Sequence, residues 1–138
     1  MATNNYAIDE TKLLQAFYWF HRHPELSFQE YSTTEKIRKL LTYANIKILD
    51  LPIETGLVAE INGTHTGPVV AIRCDIDALP VKEQTCLPYK SVNDGKMHAC
   101  GHDFHTTAIL GTALILKHME NDLKGTVRII FQPGEELF

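Results

Sequence analysis

At 138 residues and a net charge of −4, the chain is sized for one domain and has no basic block, which excludes nucleic acid and anionic membrane as first partners. An apolar fraction of 44% against a charged fraction of 22% is enough to build a core and excludes a disordered chain. The start Met1–Tyr6 lacks a signal peptide's basic and apolar regions, no apolar run reaches spanning length, and three cysteines (Cys74, Cys86, Cys100) are too few for a disulfide framework, so a cytoplasmic location is expected.

Residues 9–22 read as a helix, with Leu13, Leu14, Phe17 and Phe20 near helical spacing and Asp9 or Thr11 as N-cap. It ends at His23-Pro24, because proline keeps the residue before it out of helical geometry. Ser27-Phe28-Gln29-Glu30 has the form of a capping box for a second helix reaching about Ala44, whose Ile37, Leu40, Leu41 and Ala44 form one stripe. Strands follow at Ile46–Leu51, at Gly56–Ile61 (bounded by the turn pair Asn62-Gly63) and at Pro68–Arg73. The last is apolar enough to be covered on both faces. Residues 81–97 read as an irregular loop. Asp103 to Met119 reads as a largely buried helix, and Thr126–Gln132 as a strand. Strand, helix, strand in that order predicts a parallel crossover, hence an α/β domain with a mostly parallel sheet flanked by helices.

In this topology Asp75 and Asp77 follow one strand, Glu135 and Glu136 follow another, and Cys100 and His102 precede a helix, so all can meet where α/β sheets bind ligands. Cys100-Gly101-His102 places a thiolate and an imidazole two residues apart, a pair that suits zinc or a related divalent metal. Alone the signal is weak, since free cysteines are mostly buried and inert. Adjacent Glu135 and Glu136 can divide tasks, one binding the ion and one taking a proton from water, although a solvated acidic pair after a turn is the commoner reading. Asp75 and Asp77 can orient ligand histidines or cap a loop. His98 and His105 read equally as supporting or as structural histidines. His21, His23 and His118 read as surface or structural, and Cys74 and Cys86 as small packed residues.

Four motifs occur in order: His21-Arg22-His23-Pro24-Glu25-Leu26-Ser27, Arg73-x-Asp75-x-Asp77-Ala78-Leu79-Pro80, Met97-His98-Ala99-Cys100-Gly101-His102-Asp103 and Phe131-Gln132-Pro133-Gly134-Glu135-Glu136. Together they resemble the N-terminal part of the amidohydrolase branch of the aminoacylase/carboxypeptidase metallopeptidases, over about Leu13 to Glu136. The resemblance implies that residues 1–138 are the N-terminal part of a metal-dependent catalytic domain holding two divalent ions, zinc or manganese, with a lid domain inserted further on. It implies metal ligands at Cys100 (bridging), His102 and Glu136, a general base at Glu135, and a supporting aspartate at Asp77. Asp75 stands where the wider family has a histidine ligand but where the resemblance implies an aspartate is usual in this branch, and Gly134 stands where alanine is common, a change expected to loosen the turn. The implied substrates are small N-acyl amino acids or short peptide-like molecules, and the longer relatives are expected to be homo-oligomeric.

The family's two further histidine ligands and its lid lie beyond the stretch that matches here, so the 138-residue polypeptide is expected to hold metal loosely, to expose a sheet edge, and to show little or no activity. The alternatives are a non-catalytic truncated product, a small metal-storage or sensing module using Cys100, His102 and Glu136, and a thiol hydrolase using Cys100 with His98 or His102, which would leave the glutamate pair idle.

Overall fold

The computed structural model describes residues 9–137, so the reading of Met1–Tyr6 lies outside it. Helix α1 (Glu10–Arg22) uses Asp9 as its N-cap, the carboxylate accepting the Lys12 N–H at 3.2 Å. Ala16 and Phe20 face the core, while Leu14, expected on the same stripe, is half exposed. Helix α2 (Tyr31–Tyr43) buries Ile37 and Leu41 and packs Leu40 and Ala44 beside them, the predicted stripe.

The capping box expected at Ser27–Glu30 does not form: Glu30 occupies the N-cap position without a side-chain cap bond. Glu25 does the capping from outside the helix, accepting the Ser32 N–H (3.1 Å), the Thr33 N–H (2.8 Å) and the Thr33 hydroxyl (2.8 Å). Ser27 and Glu30 are buried and hydrogen-bonded elsewhere, which is why neither is available to the helix end.

The sheet holds β1 (Lys47–Ile48), β2 (Leu57–Asn62), β3 (His65–Asp75) and β4 (Lys124–Gln132), in the order β1-β2-β4-β3. Helix α3 (His102–His118) makes the crossover between β3 and β4, which pair in parallel as predicted. The sheet as a whole is mixed rather than mostly parallel among the described residues, since β1–β2 and β2–β4 are antiparallel. The reason is chain length: two residues between β2 and β3 can only reverse direction, whereas parallel return needs a long crossover. The Asn62-Gly63 turn reverses the chain as expected but makes no simple hairpin, because β4 inserts between its two arms. Close approach there demands a glycine: a Cβ on Gly125 would lie 2.0 Å from the Pro68 carbonyl oxygen.

Two expectations about burial change. Among the described residues the apolar run of β3 is an exposed sheet edge, as expected, and so not the strand covered on both faces, with Val69 60% and Val70 50% exposed. Only its end, Cys74 and Asp75, is buried. Helix α3 is buried along one stripe (His102, Thr106, Leu110, Ala113) rather than throughout, and Ala108 is exposed. The core lies between β2, β4 and the three helices, centred on Phe20, Ile37, Ala59, Leu110, Ile129 and Phe131. Cys74 is packed there as expected, whereas Cys86 is exposed. The loop 81–97 is irregular but pinned to α1. Tyr89 stacks on Tyr18 with centroids 4.3 Å apart, and the Val92 N–H donates to the Arg22 carbonyl at 2.9 Å. No described helix is long and apolar enough to cross a membrane.

Candidate metal centre

Parallel pairing brings the carboxyl ends of β3 and β4 side by side, with Asp75 opposite Gln132 and the Ile76 N–H donating to the Gln132 carbonyl at 3.1 Å. The chain leaving β3 carries Asp77, the chain leaving β4 carries Glu135 and Glu136, and α3 starts at the same edge with His102. This is the convergence that the order of elements predicts.

Asp77, 1% exposed, joins these segments. The His102 Nδ1 lies 3.0 Å from the Asp77 carbonyl oxygen and 3.2 Å from Asp77 Oδ1, so it carries the proton and donates. The other carboxylate oxygen, Oδ2, accepts the Ser27 hydroxyl at 2.7 Å and the Glu136 N–H at 2.8 Å. With Nδ1 engaged, His102 presents the Nε2 lone pair to the site.

Three carboxylate oxygens face that lone pair: Asp75 Oδ2 at 3.7 Å, Glu136 Oε1 at 3.7 Å and Glu135 Oε2 at 3.8 Å. These distances are too long for hydrogen bonds. They match the spacing of donors around an ion, since ligands about 2.0–2.3 Å from a tetrahedral zinc stand about 3.3–3.8 Å apart. The ligand atoms of Cys100, His102 and Glu136 all lie within 4.8 Å of one another. Glu136 Oε1 is buried with no hydrogen-bond partner among the described residues, a costly condition that a cation would relieve.

The electrostatics agree. The Cys100 thiol is pushed above its ordinary value, first by its hydrogen bond to Glu136, then by burial and by the charges of Glu136, Glu135 and Asp75. A divalent ion reverses that logic, because a coordinating thiol is deprotonated outright. Burial is the largest single influence on the Asp75 carboxyl and alone would raise it, but the hydrogen bond to His105 (Nδ1 to Oδ1, 2.7 Å), a backbone hydrogen bond and the charges of His102 and His105 together leave Asp75 below its ordinary value. The donor set therefore fits a thiophilic or borderline divalent metal.

A second group, Asp75, His102 and His105, is also compact enough to hold an ion. Both groups need the same His102 Nε2, which can bind only one metal. The short Asp75–His105 hydrogen bond marks His105 as a partner of Asp75 at the edge of the first position. His105 is half exposed.

The five residues singled out by sequence, Asp77, Cys100, His102, Glu135 and Glu136, thus gather at one sheet edge. Three others were not legible as part of it. His21, read as surface or structural, is buried between Asp103 Oδ2 (2.7 Å) and Glu83 Oε1 (3.2 Å). Ser27 and Glu30 read in the sequence as a capping box. For His21 and Ser27 the sequence signal is the first motif itself, which names residues without saying what they touch; Glu30 lies outside that motif. Gly134 does not loosen its turn: it has φ +69°, and a Cβ there would lie 2.4 Å from the Phe28 ring.

Residues 71–137 match the model of "Peptidase family M20/M25/M40". An N-acetylcysteine deacetylase of Bacillus subtilis is 59% identical over 128 residues, covering 92% of this chain and 34% of the relative. An N-acyl-L-amino acid amidohydrolase of Geobacillus stearothermophilus is 46% identical over 118 residues, covering 86% of this chain and 32% of the relative. The crystal structure of a Bacillus subtilis dinuclear metal binding peptidase from the M20 family superposes with a TM-score of 0.92 at 57% identity, covering 94% of this chain and 37% of that one. The chain spans about a third of the length of the curated relatives it matches. In sequence over residues 71–137, and in fold over most of its length, the chain matches peptidase family M20/M25/M40 and resembles about a third of each longer relative.

Proposed function

We propose that the protein is a metal-dependent amidohydrolase that cleaves the amide bond of N-acyl amino acids, and that residues 1–138 form the N-terminal part of its catalytic domain. The observation that carries this reading is the set of acidic donors around the His102 Nε2 lone pair at 3.7–3.8 Å, with Cys100 beside them. Similarity to an N-acetylcysteine deacetylase and an N-acyl-L-amino acid amidohydrolase supports the substrate class. Similarity to a dinuclear metal binding peptidase supports a two-metal centre, and zinc or manganese would suit the thiolate, imidazole and carboxylate donors that Cys100, His102 and Glu136 would offer.

Cys100, His102 and Glu136 hold metal, and Asp77 keeps His102 in the tautomer that leaves Nε2 free. When bound, the divalent ions supply Lewis acidity that polarises the amide carbonyl and makes water acidic. Glu135, part-exposed and reaching the same space, takes the proton of the attacking water and returns it to the leaving amine. The products are a carboxylate and a free amino acid. Three free cysteines suit the reducing cytoplasm.

The test is hydrolysis of N-acetyl and N-benzoyl amino acids by the protein as its complete reading frame encodes it. Activity should require zinc or manganese, disappear with a chelator and return with metal. Glu135→Gln should lower kcat about 10²- to 10⁴-fold while metal content stays the same. Activity that survives chelation but not thiol alkylation would instead favour Cys100 as a nucleophile.

A further inference from the structure

The metal reading leaves one of the four motifs without a task. His21–Ser27 supplies no metal donor, yet the stretch from His21 to Glu30 touches each segment that does. His21 Nδ1 lies 2.7 Å from Asp103 Oδ2, on the residue next to His102. The Ser27 hydroxyl donates to Asp77 Oδ2 at 2.7 Å. Glu30 Oε1 accepts the Gly134 N–H at 2.9 Å, one residue before Glu135. The backbone is joined as well: the Ala78 N–H donates to the Glu25 carbonyl at 2.8 Å, and Leu26 bridges Ala78.

These polar side chains are sealed in: His21 is 8% exposed, Ser27 7% and Glu30 0%. A connection between helices usually runs over the surface, and burying polar groups in one is costly. Glu30 is the clearest case, because its Oε2 is buried with no partner among the described residues while Oε1 holds a single N–H. A carboxylate used so sparingly is a poor device for stability alone. Its target, the Gly134 peptide, aims the chain that carries Glu135 and Glu136.

Ser27 acts by occupying one end of a carboxylate. With the Ser27 hydroxyl and the Glu136 N–H on Asp77 Oδ2, only Oδ1 remains for the His102 Nδ1 proton. The orientation of the His102 ring and the position of the Glu136 backbone are therefore set by one carboxylate whose rotation Ser27 restrains.

We infer that the His21–Glu30 segment is the template on which the metal centre is assembled, with His21, Ser27 and Glu30 as positioning residues that bind no metal but hold the Asp103, Asp77 and Gly134 segments in register. This rests on the metal reading above. His21 fastens the first turn of α3, Ser27 the chain after β3, and Glu30 the turn after β4.

The test is cobalt(II) binding to the purified protein, read by its ligand-field and thiolate charge-transfer absorption and by affinity in competition with a chelator. Ser27→Ala and Glu30→Ala should each weaken binding about 10- to 100-fold and shift the absorption bands, with the far-ultraviolet circular dichroism of the metal-free protein unchanged. Ser27→Thr, which keeps the hydroxyl, and Glu30→Gln, which keeps an acceptor for Gly134, should bind within about threefold of the parent. Where an alanine variant does not fold, the conservative pair still decides: loss of binding in either overturns the inference. Alanine variants with the parent's affinity and spectrum overturn it too. A parent protein that takes up no cobalt overturns the metal reading itself, whereas a parent that binds alongside indifferent variants overturns only the template.

Discussion

His98 sits two residues from Cys100, is 5% exposed, and has neither ring nitrogen hydrogen-bonded among the described residues. Burial is the main cause that lowers its pKa from 6.5 to about 4. The folded protein therefore keeps His98 neutral where the unfolded chain would protonate it. A depressed folded value means that its contribution to stability is full above pH 6.5 and is lost as the pH falls toward 4. The melting temperature of the metal-free protein should drop between about pH 6.5 and pH 4.5, and His98→Phe, which fills similar space without a titrating group, should flatten that slope. An equal slope in the variant would assign the effect to other groups. The sequence offers His98 as a supporting or structural histidine with equal weight. It is buried as a structural histidine would be but unpaired among the described residues, and burial is a property of packing that no local pattern encodes.

At the scale of elements, the turn after β4 is shaped by a residue 106 positions earlier in the chain. The Phe28 ring lies where a Gly134 side chain would start, and Phe28 itself has φ +60°. Gly134→Ala meets a left-handed backbone cost of about 1–2 kcal/mol and a steric cost of about 1–3 kcal/mol against the ring. It should lower the denaturant midpoint accordingly, and Phe28→Ala in the same chain should recover the steric part, leaving a coupling of about 1 kcal/mol or more in the double-mutant cycle. Strict additivity would mean that the ring moves aside freely. Helices α1, α2 and α3 were legible because their apolar spacing is local and periodic. The cap of α2 was not, because Ser27 and Glu30 read equally well as a capping box until tertiary partners claim them and Glu25 takes the role. The mixed character of the sheet was hidden for the same reason: strand periodicity does not say which neighbour a strand will pair with.

For the molecule as a whole, the sheet edge gathers the Asp75, Glu135 and Glu136 carboxylates around His102 with the neutral Cys100 thiol beside them, and the carboxylates repel one another without a cation. A bound metal would therefore favour the folded state. Zinc, manganese or cobalt should raise the melting temperature and a chelator should reverse the rise, by about 2.7 kcal/mol of stability at a free metal concentration 100 times Kd. A melting temperature indifferent to all three metals would argue against the site. By itself the sequence determined the α/β class, the elements with their approximate bounds, and the donor types, because periodicity, turn residues and ligand chemistry are local and survive in one dimension. Only the tertiary structure decided that β4 inserts between β2 and β3, that β3 is an edge among the described residues, and that Ser27 and Glu30 turn inward toward Asp77 and Gly134. Those outcomes depend on which distant groups meet and satisfy one another's buried polar atoms, and that becomes definite only when the chain is packed.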